Sequence, residues 1–587
     1  MGKYLTQSPV PDHMVRSQFD IASLPELIAR TVNRQPEHTA IQWRENKELK
    51  RITYRQFWDK VESLARALLT NGFGPDDHLG IWSENRWEWA VSYVAILRIG
   101  AVVIPLDALS KAHEIRHILV DAGVKLVFTS SKFLESLTQI VENIPEEITI
   151  ISFDGDAHSQ HIDKWLEQGK VGQIPDKVEP KLDSLGAIIY TSGTTGFSKG
   201  VLLTHRNIAS DINGCYQVID FDVSDVFLSV LPLHHTFECT VGMLAPLVAG
   251  CAIHYARSLK SRELLEDFKS GGATIILGVP LLFEKLLTAI DKGINNQPWH
   301  KRTLLRALRQ GVRVVKRAMG ASLGSAVFRQ LRNTAGMGSV RLMMSGGAAL
   351  PLHIAELYDE LGFPLMQGYG LTETSPVLTT NTLVHAKLSA VGKTIPGVTL
   401  KIDQPDNAGI GEIMVKGDNV MAGYYKNERA TKEAFRDGWF ATGDCGWLDD
   451  EGYLTITGRV KDIIVTGAGK NINPEEVEAE LNKSPYISES LVIGIQSKSG
   501  IGEDIGALIV PNYEAIDKHQ ESSGVTLTPE DLEQLIRDQV RDRCRDLPEY
   551  KRVKKVKLHM EEFQRTSTGK IRRFLYREHF LVVPPAE

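Results

Sequence analysis

Between residues 36 and 256, short apolar, β-branched runs alternate with helical patterns, and this alternation constrains the fold more than any other feature of the chain. Residues 79–82 precede a helical pattern at 87–97, residues 101–105 precede another at 113–121, and a further apolar run follows at 126–129. A strand that returns through a helix to its neighbour pairs with it in parallel, because a tight hairpin cannot make that connection. The pattern resumes at 273–279, 340–345 and 363–367, each run lying close to Gly, Ser or Pro. Loops at the ends of such strands are where parallel sheets bind ligands. After Val398 the pattern changes to short strands with turn signals at 411–415 and 453–457, and after Arg459 to a small mixed unit. The expectation is an α/β protein with a boundary at 458–461. Residues 1–458 form a large domain of parallel sheets with crossover helices and a small β-barrel-like part, and residues 459–587 a small α+β domain.

Composition removes several alternatives. The 587 residues are 42% hydrophobic and 24% charged, which fits a globular chain and neither a disordered nor a collagen-like one. A net charge of −6 argues against a whole-chain nucleic-acid footprint, so no nucleic-acid partner is expected. The five cysteines are odd in number and lack the two-residue spacing of zinc or thioredoxin-type pairs. With no apolar run of signal-peptide length at the start, the expected location is cytoplasmic. The longest uncharged stretch, 239–256, is interrupted by Gly242, Pro246, Gly250 and His254, and reads as buried helix followed by strand rather than a membrane span.

The most specific chemical signal is Tyr190-Thr191-Ser192-Gly193-Thr194-Thr195-Gly196-Phe197-Ser198-Lys199-Gly200, directly after the strand-like 185–189. Glycines and small hydroxylated residues let backbone N–H groups and Oγ atoms converge on anionic oxygens, and Lys199 adds a point charge. This is a phosphate cradle but not a Walker A loop, because Ser198 and Gly200 flank the lysine where that loop needs Gly and Ser/Thr. Five further segments follow in order: Ser345-Gly346-Gly347-Ala348, Gln367-Gly368-Tyr369-Gly370-Leu371-Thr372-Glu373-Thr374, Gly438 to Asp444, Gly458 to Asp462, and Arg565-Thr566-Ser567-Thr568-Gly569-Lys570. Together, from about Leu24 to Arg573, they closely resemble the adenylate-forming superfamily of acyl-CoA synthetases, luciferases and peptide-synthetase adenylation domains.

The resemblance implies attack of a substrate carboxylate on the α-phosphate of Mg·ATP, yielding an acyl-adenylate and pyrophosphate. Bringing two anions together needs cations and fixed donors aimed at the transferring group. By this resemblance Lys570 is the catalytic cation. Thr191, Ser192, Gly193, Thr194, Thr195, Gly196 and Lys199 hold the β- and γ-phosphates. Thr372 contacts the α-phosphate, and Glu373, with Thr191, serves Mg2+, a hard ion that prefers oxygen ligands. Gly346, Gly347 and Ala348 close one face of adenine and Tyr369 the other, within the nucleotide-binding run Gln367, Gly368 and Gly370. Asp444 accepts the ribose hydroxyls, Arg459 donates to the same sugar, and Lys461 is the hinge about which the C-terminal domain turns. Ser198 and Gln564 stand where the family usually has Pro, and Lys470 occupies a variable site; none of these removes a group the adenylation step needs.

Two histidine patterns are read differently. His113-Glu114-Ile115-Arg116-His117 spells a zinc-protease motif but lacks the extended third ligand, and reads as a surface helix. In Leu233-His234-His235-Thr236-Phe237-Glu238, His235 either lines the acyl site or is a satisfied core histidine. From Lys292 to Ile354 there are eleven Lys/Arg and no acidic residue. Within it, 301–319 reads as a basic amphipathic helix. Its basic face would carry Arg302, Arg306, Arg309, Arg313, Lys316 and Arg317, and its apolar face Leu304, Leu305, Leu308, Val312, Val315 and Met319. It either touches anionic membrane peripherally or packs on its own domain. Such an insertion resembles the long-chain fatty acyl-CoA synthetase branch. That points to a fatty acid substrate with coenzyme A as cosubstrate, an acyl carrier protein as the alternative acceptor, and a non-catalytic lipid- or nucleotide-binding protein as the reading from another class.

Overall fold

The computed structural model describes residues 4–5, 19–155, 160–191, 198–319, 323–383, 386–466, 470–497, 502–524, 526–565 and 571–580. The chain divides into two compact units. The larger comprises Leu5–Leu400 with Val415–Phe440, and the smaller gathers Lys401–Met414 and Ala441–Glu587.

The larger unit contains two sheets. One has eight strands in the order Gly423–Tyr424, Lys199–Thr204, Leu185–Thr191, Val102–Pro105, His78–Trp82, Leu126–Thr129, Thr149–Ser152 and Gln160–His161. The other has nine, with Leu365–Gly370, Leu342–Ser345, Ile275–Gly278, Val226–Ser229, Ala252–Tyr255 and Thr39–Glu45 as its parallel run. Val102–Pro105, Leu126–Thr129, Ile275–Gly278 and Leu342–Ser345 are buried at every position. Parallel strands covered by helices on both faces have no polar side to show, so they are continuously apolar. Trp87–Arg98 and Ala112–Ala122 are the crossover helices expected from the 3.6-residue pattern.

The expected parallel pairing through crossover helices is present in both sheets, and each also carries antiparallel strands at its margins. Leu185–Thr191 is parallel to Val102–Pro105 but antiparallel to Lys199–Thr204. Leu365–Gly370 is parallel to Leu342–Ser345 but antiparallel to Val377–Thr380. The connections 192–198 and 371–376 are too short for a crossover helix, so each chain reverses beside its own strand. Those two reversals are where the phosphate-cradle and Thr372–Glu373 motifs lie.

The uncharged stretch 239–256 is buried helix followed by strand, as expected, but the helix begins as a π-helix over Phe237–Leu244. Among the described residues no helix is long and apolar enough to cross a membrane. All five cysteines are buried thiols.

The basic helix runs over Trp299–Met319, and its two faces are not segregated as the helical wheel implied. Val312 is buried and Leu305 packs against the core, while Leu304, Leu308 and Val314 are exposed. Arg309 and Arg313 pair with Glu360, at 3.1 and 2.5 Å, and Lys316 with Asp359 at 2.5 Å. Two acidic residues at the end of the helix Leu352–Glu360 thus draw part of the basic face inward.

In the smaller unit, Trp439–Leu448 and Leu454–Arg459 form an antiparallel hairpin. Ile487–Gln496, Glu503–Pro511 and Lys555–Leu558 form a three-stranded sheet. The helices Pro474–Leu481 and Pro529–Arg543 share its core through Val477, Leu481, Ile536 and Val540, packed with Val492, Ala507 and Ile509.

Candidate active site

Two motif residues of the larger unit, Lys199 and Glu373, meet around Tyr424. Thr191 ends its strand opposite Lys199; Ser192, Gly193, Thr194, Thr195 and Gly196 lie outside the described residues. Gly200 is crowded by side chains, and a Cβ there would stand 2.7 Å from Ile188 Cγ2, so a larger residue would force its neighbours to shift. Residues 420–425 then pair along this strand: Ala422 N–H donates to Leu202 O, and Tyr425 N–H to Gly200 O. That pairing places Lys199 Nζ 5.3 Å from the centre of the Tyr424 ring. On its other side the Tyr424 hydroxyl donates to Glu373 Oε1 at 2.9 Å. Motif residues some 174 positions apart in sequence, 373 − 199, thereby share one aromatic neighbour.

Glu373 is held by its backbone. It lies in the 3₁₀ turn Thr372–Thr374, and its carbonyl accepts Met421 N–H at 2.8 Å. Asn419 Nδ2 donates to Thr374 O and Val377 O at 3.0 and 2.9 Å, and Asp211 Oδ1 accepts Val377 N–H at 2.9 Å. Asp211 is fully buried, and burial pushes its carboxyl well above the usual range. Gly370 is required here, because a Cβ would fall 1.8 Å from Pro376 O.

The glycines of the Ser345 to Ala348 segment follow the strand Leu342–Ser345. A Cβ on Gly346 would meet the Phe237 ring at 3.1 Å, and Gly347 has φ +79°, so a flat backbone surface is kept open beside exposed Ala348. Gln367 is fixed by its Nε2 donating to Leu388 O at 2.7 Å. Gly368 and Tyr369 pair with Thr380 and Thr379.

His235 lies in a buried polar group. Its ring is 4.0 Å from that of His234, and burial together with that neighbour pushes its pKa down to about 3. Three residues on, Glu238 is fully buried at the start of the π-helix, and burial pushes its carboxyl up to about 8. Ser229 and the Leu231 backbone face Glu238 outside hydrogen-bond geometry and offset only part of this shift.

The smaller unit carries the remaining residues. Asp444 and Arg459 are cross-strand partners, with Arg459 Nε 2.8 Å from Asp444 Oδ1. Gly443 at φ +71° makes the turn that lets Asp444 N–H donate to Thr442 Oγ1, itself bonded to Ile413 O. The result is a buried carboxylate whose cation is one-third exposed. Lys461 is exposed in the turn Val460–Asp462. Lys570 lies outside the described residues, but its flanks are held. Arg565 and Ile571 form an antiparallel bridge, and Arg573 makes a bidentate pair with Glu478 at 2.6 and 2.7 Å.

The donor chemistry fits the expected groups. A carboxylate and a threonine hydroxyl are hard oxygen ligands of the kind Mg2+ takes, and Lys199 supplies positive charge of the kind phosphate takes. The zinc-protease pattern has no comparable role: His113 is exposed, and Glu114 caps its own helix by accepting Lys111 N–H at 2.7 Å. Sequence reasoning missed Tyr424, Asn419 and Asp211, which carry no motif and act through pairings that only the folded chain makes.

A fold with two reversing strand ends, a glycine-lined strand terminus and a separate unit bearing an acid–base strand pair defines an adenylate-forming ligase. Residues 28–425 match the AMP-binding enzyme family and residues 461–581 the AMP-binding enzyme C-terminal domain, and the chain belongs to that family. It is 32% identical over 494 residues to the long-chain-fatty-acid–CoA ligase FadD15 of Mycobacterium bovis, covering 81% of this chain and 80% of that one. It is 27% identical over 539 residues to the chloroplastic long-chain-fatty-acid–[acyl-carrier-protein] ligase AEE15 of Arabidopsis thaliana, covering 79% and 73%. Among solved structures, ATP-bound MatB from Rhodopseudomonas palustris superposes with a TM-score of 0.75 at 26% identity, covering 95% of this chain and 99% of that one.

Proposed function

We propose that the protein joins a medium- or long-chain fatty acid to coenzyme A through an acyl-adenylate, releasing AMP and pyrophosphate. The observation that carries this reading is the meeting of Lys199, Tyr424 and Glu373 at the mouth of the cradle. It is supported by the long-chain-fatty-acid–CoA ligase relative that covers four-fifths of the chain.

In this reading Lys199 and the cradle residues draw the β- and γ-phosphates into place. Glu373 and Thr191 would hold Mg2+, whose charge offsets that of the phosphates. Asp444 and Arg459 orient the ribose by accepting from and donating to its hydroxyls, and Gly346, Gly347, Ala348 and Tyr369 leave a slot for the adenine plane. Lys570 then sits between the acid's carboxylate and the α-phosphate, so that the carboxylate oxygen attacks phosphorus while pyrophosphate leaves. Residues 459–587 swing about Lys461 between the two half-reactions. The thiol of coenzyme A attacks the adenylate carbonyl once Lys570 has withdrawn, which keeps water from competing for the adenylate. His235 lines the acyl side.

Lys570→Ala should abolish pyrophosphate release with ATP and palmitate, yet leave thioester formation from supplied acyl-AMP largely intact. Equal loss of both steps refutes the assigned role. The plant relative supports a second acceptor, the phosphopantetheine arm of an acyl carrier protein. Product formation from coenzyme A must exceed that from holo-carrier across a graded series of acids, or the acceptor assignment is wrong.

Peripheral contact with anionic lipid through Trp299–Met319 belongs to the same reading. It draws on the exposed Trp299, Leu304, Leu308 and Val314 interspersed with exposed Lys301 and Arg306. Leu304→Ser/Leu308→Ser with Lys301→Gln/Arg306→Gln should reduce co-sedimentation with phosphatidylserine vesicles. Unchanged binding excludes this contact.

A further inference from the structure

His234 and His235 belong to a second cluster of chemically able side chains in the larger unit, set apart from the phosphate, ribose and magnesium residues although His235 also lines the acyl side. One ligating atom each from Asp107, His234 and His235 lies within 4.8 Å of the other two, and among the described residues this is the one group of its kind. His234 Nε2 is 3.3 Å from Asp107 Oδ1, yet neither His234 Nε2 nor His235 Nε2 has a hydrogen-bond partner. His234 is 7% exposed. A buried polar atom left unpaired is costly, and two adjacent ones facing a carboxylate call for an occupant.

We propose that Asp107, His234 and His235 bind one divalent transition-metal ion of the zinc class, independently of the magnesium ligands. Two imidazoles and one carboxylate form a borderline donor set, suited to Zn2+ or Co2+ rather than to Mg2+, which takes oxygens alone. Metal–ligand bonds of about 2.0–2.2 Å require donor atoms to come within roughly 3.3 Å of one another. The His234–Asp107 pair already meets that spacing at 3.3 Å, and the His235 donor lies within 4.8 Å of both.

The surroundings hold the ligands as a metal site needs. Asp107 Oδ1 accepts Leu109 N–H at 2.7 Å, and its carbonyl accepts Trp82 Nε1–H at 3.1 Å. On the opposite side Asn85 Nδ2 donates to Leu231 O at 2.6 Å, and Asn85 Oδ1 accepts Leu233 N–H at 3.0 Å. Leu109 N–H thus orients the Asp107 carboxylate directly, while Asn85 holds the backbone that leads into His234; losing a partner that orients a ligand typically weakens metal binding about 10- to 100-fold. Three protein ligands leave a position for water or another exchangeable ligand. An ion here would tie the loop after Val102–Pro105 to the turn that opens the π-helix, whose first N–H bonds include Cys239 to His235 O.

The test is titration of the full chain, freed of metal by a chelator and without nucleotide, with Co2+ followed by its visible d–d absorption. One equivalent of an intense band, displaced by Zn2+ and insensitive to millimolar Mg2+, is expected. Asp107→Asn and His234→Gln should each weaken Co2+ binding at least about tenfold. His113→Gln/His117→Gln should leave it unchanged. No band in the wild type, or a titration unaltered in Asp107→Asn, overturns the proposal, as does loss of the band in the His113/His117 variant alone. Asp107 is partly exposed, so Asp107→Asn decides the matter even if His234→Gln fails to fold, with circular dichroism confirming its structure.

Discussion

The two units differ in how they bury polarity. The larger one holds paired charges such as Asp267 with Arg257 and Asp225 with Arg341, but beside them it buries ionisable groups as neutral species: His205 and His254 are pushed down to about 4 and His235 to about 3, in each case chiefly by burial. Burial also pushes Glu238 up to about 8 and holds Asp211 well above the usual carboxylate range. The smaller unit keeps its buried charges and pairs them. Asp444 faces Arg459, and Arg573 meets both carboxylate oxygens of Glu478, with Asp462 and Glu475 about 4 Å away. A neutral buried group costs its desolvation only when solvent pH would charge it, whereas a paired one costs most when its partner is removed. Acid should therefore act first on the larger unit, and single charge deletions should act most on the smaller.

The largest expected effect is acid destabilisation of the larger unit. A histidine whose folded pKa is below its unfolded value of about 6.5 adds no penalty at neutral pH. As pH falls through 6.5 the unfolded chain gains a proton that the folded chain refuses, so stability drops until the folded pKa is reached. Three such groups alone would give about 4 kcal/mol per pH unit between roughly pH 6 and 4, and Glu238 and Asp211, protonated in the folded chain but ionised in the unfolded one, offset about two of them, leaving a net loss of about 1.4 kcal/mol per pH unit. Hydrogen exchange read by peptide should show the amides of His205–Val218 and Ala252–Tyr255 losing protection across this range before those of Ile487–Gln496 and Glu503–Pro511. The reverse order would break the comparison.

Next in size is the paired charge of the smaller unit. Arg573→Ala leaves Glu478 buried, with only Val492 N–H donating to it, and should cost about 3 kcal/mol in urea denaturation. Arg573→Met/Glu478→Leu should recover most of that loss, because removing both ions removes the desolvation cost as well. If the single variant costs less than about 1 kcal/mol, the fork is a surface pair in all but geometry.

How much of this was legible beforehand follows the range of the interactions. The parallel runs 126–129 and 340–345 were readable because strands buried on both faces carry their environment in their own composition. Gly346 and Asp444 stand out in the sequence only through their motifs. The mixed character of both sheets was not readable, because the reversals at 192–198 and 371–376 look like any glycine- or threonine-rich loop until the following strand finds its partner. The basic helix misled for a related reason. A helical wheel knows the helix's own faces but not Glu360 and Asp359, which reach Arg309, Arg313 and Lys316 from more than forty residues away. Tyr424 had no signal at all, since its role comes from where Leu202 and Gly200 hold its backbone.

The smallest expected effect tests that last point and refines the contrast between units, because Glu373 is a charge of the larger unit kept by a hydroxyl rather than by a cation. Tyr424→Phe removes one hydrogen bond to a carboxylate and leaves the ring beside Lys199, so the fold should lose little. A hydrogen bond to a charged group contributes about 1.5–3 kcal/mol, which corresponds to a roughly tenfold or greater loss wherever Glu373 must be held in place. The loss should appear as a higher magnesium requirement for pyrophosphate release, with the KM for the acid unchanged. Tyr424→Leu should add to it by withdrawing the ring from Lys199, raising the KM for ATP as well. A Tyr424→Phe enzyme with wild-type magnesium dependence would mean that the backbone clamp from Asn419, Asp211 and Met421 alone orients Glu373.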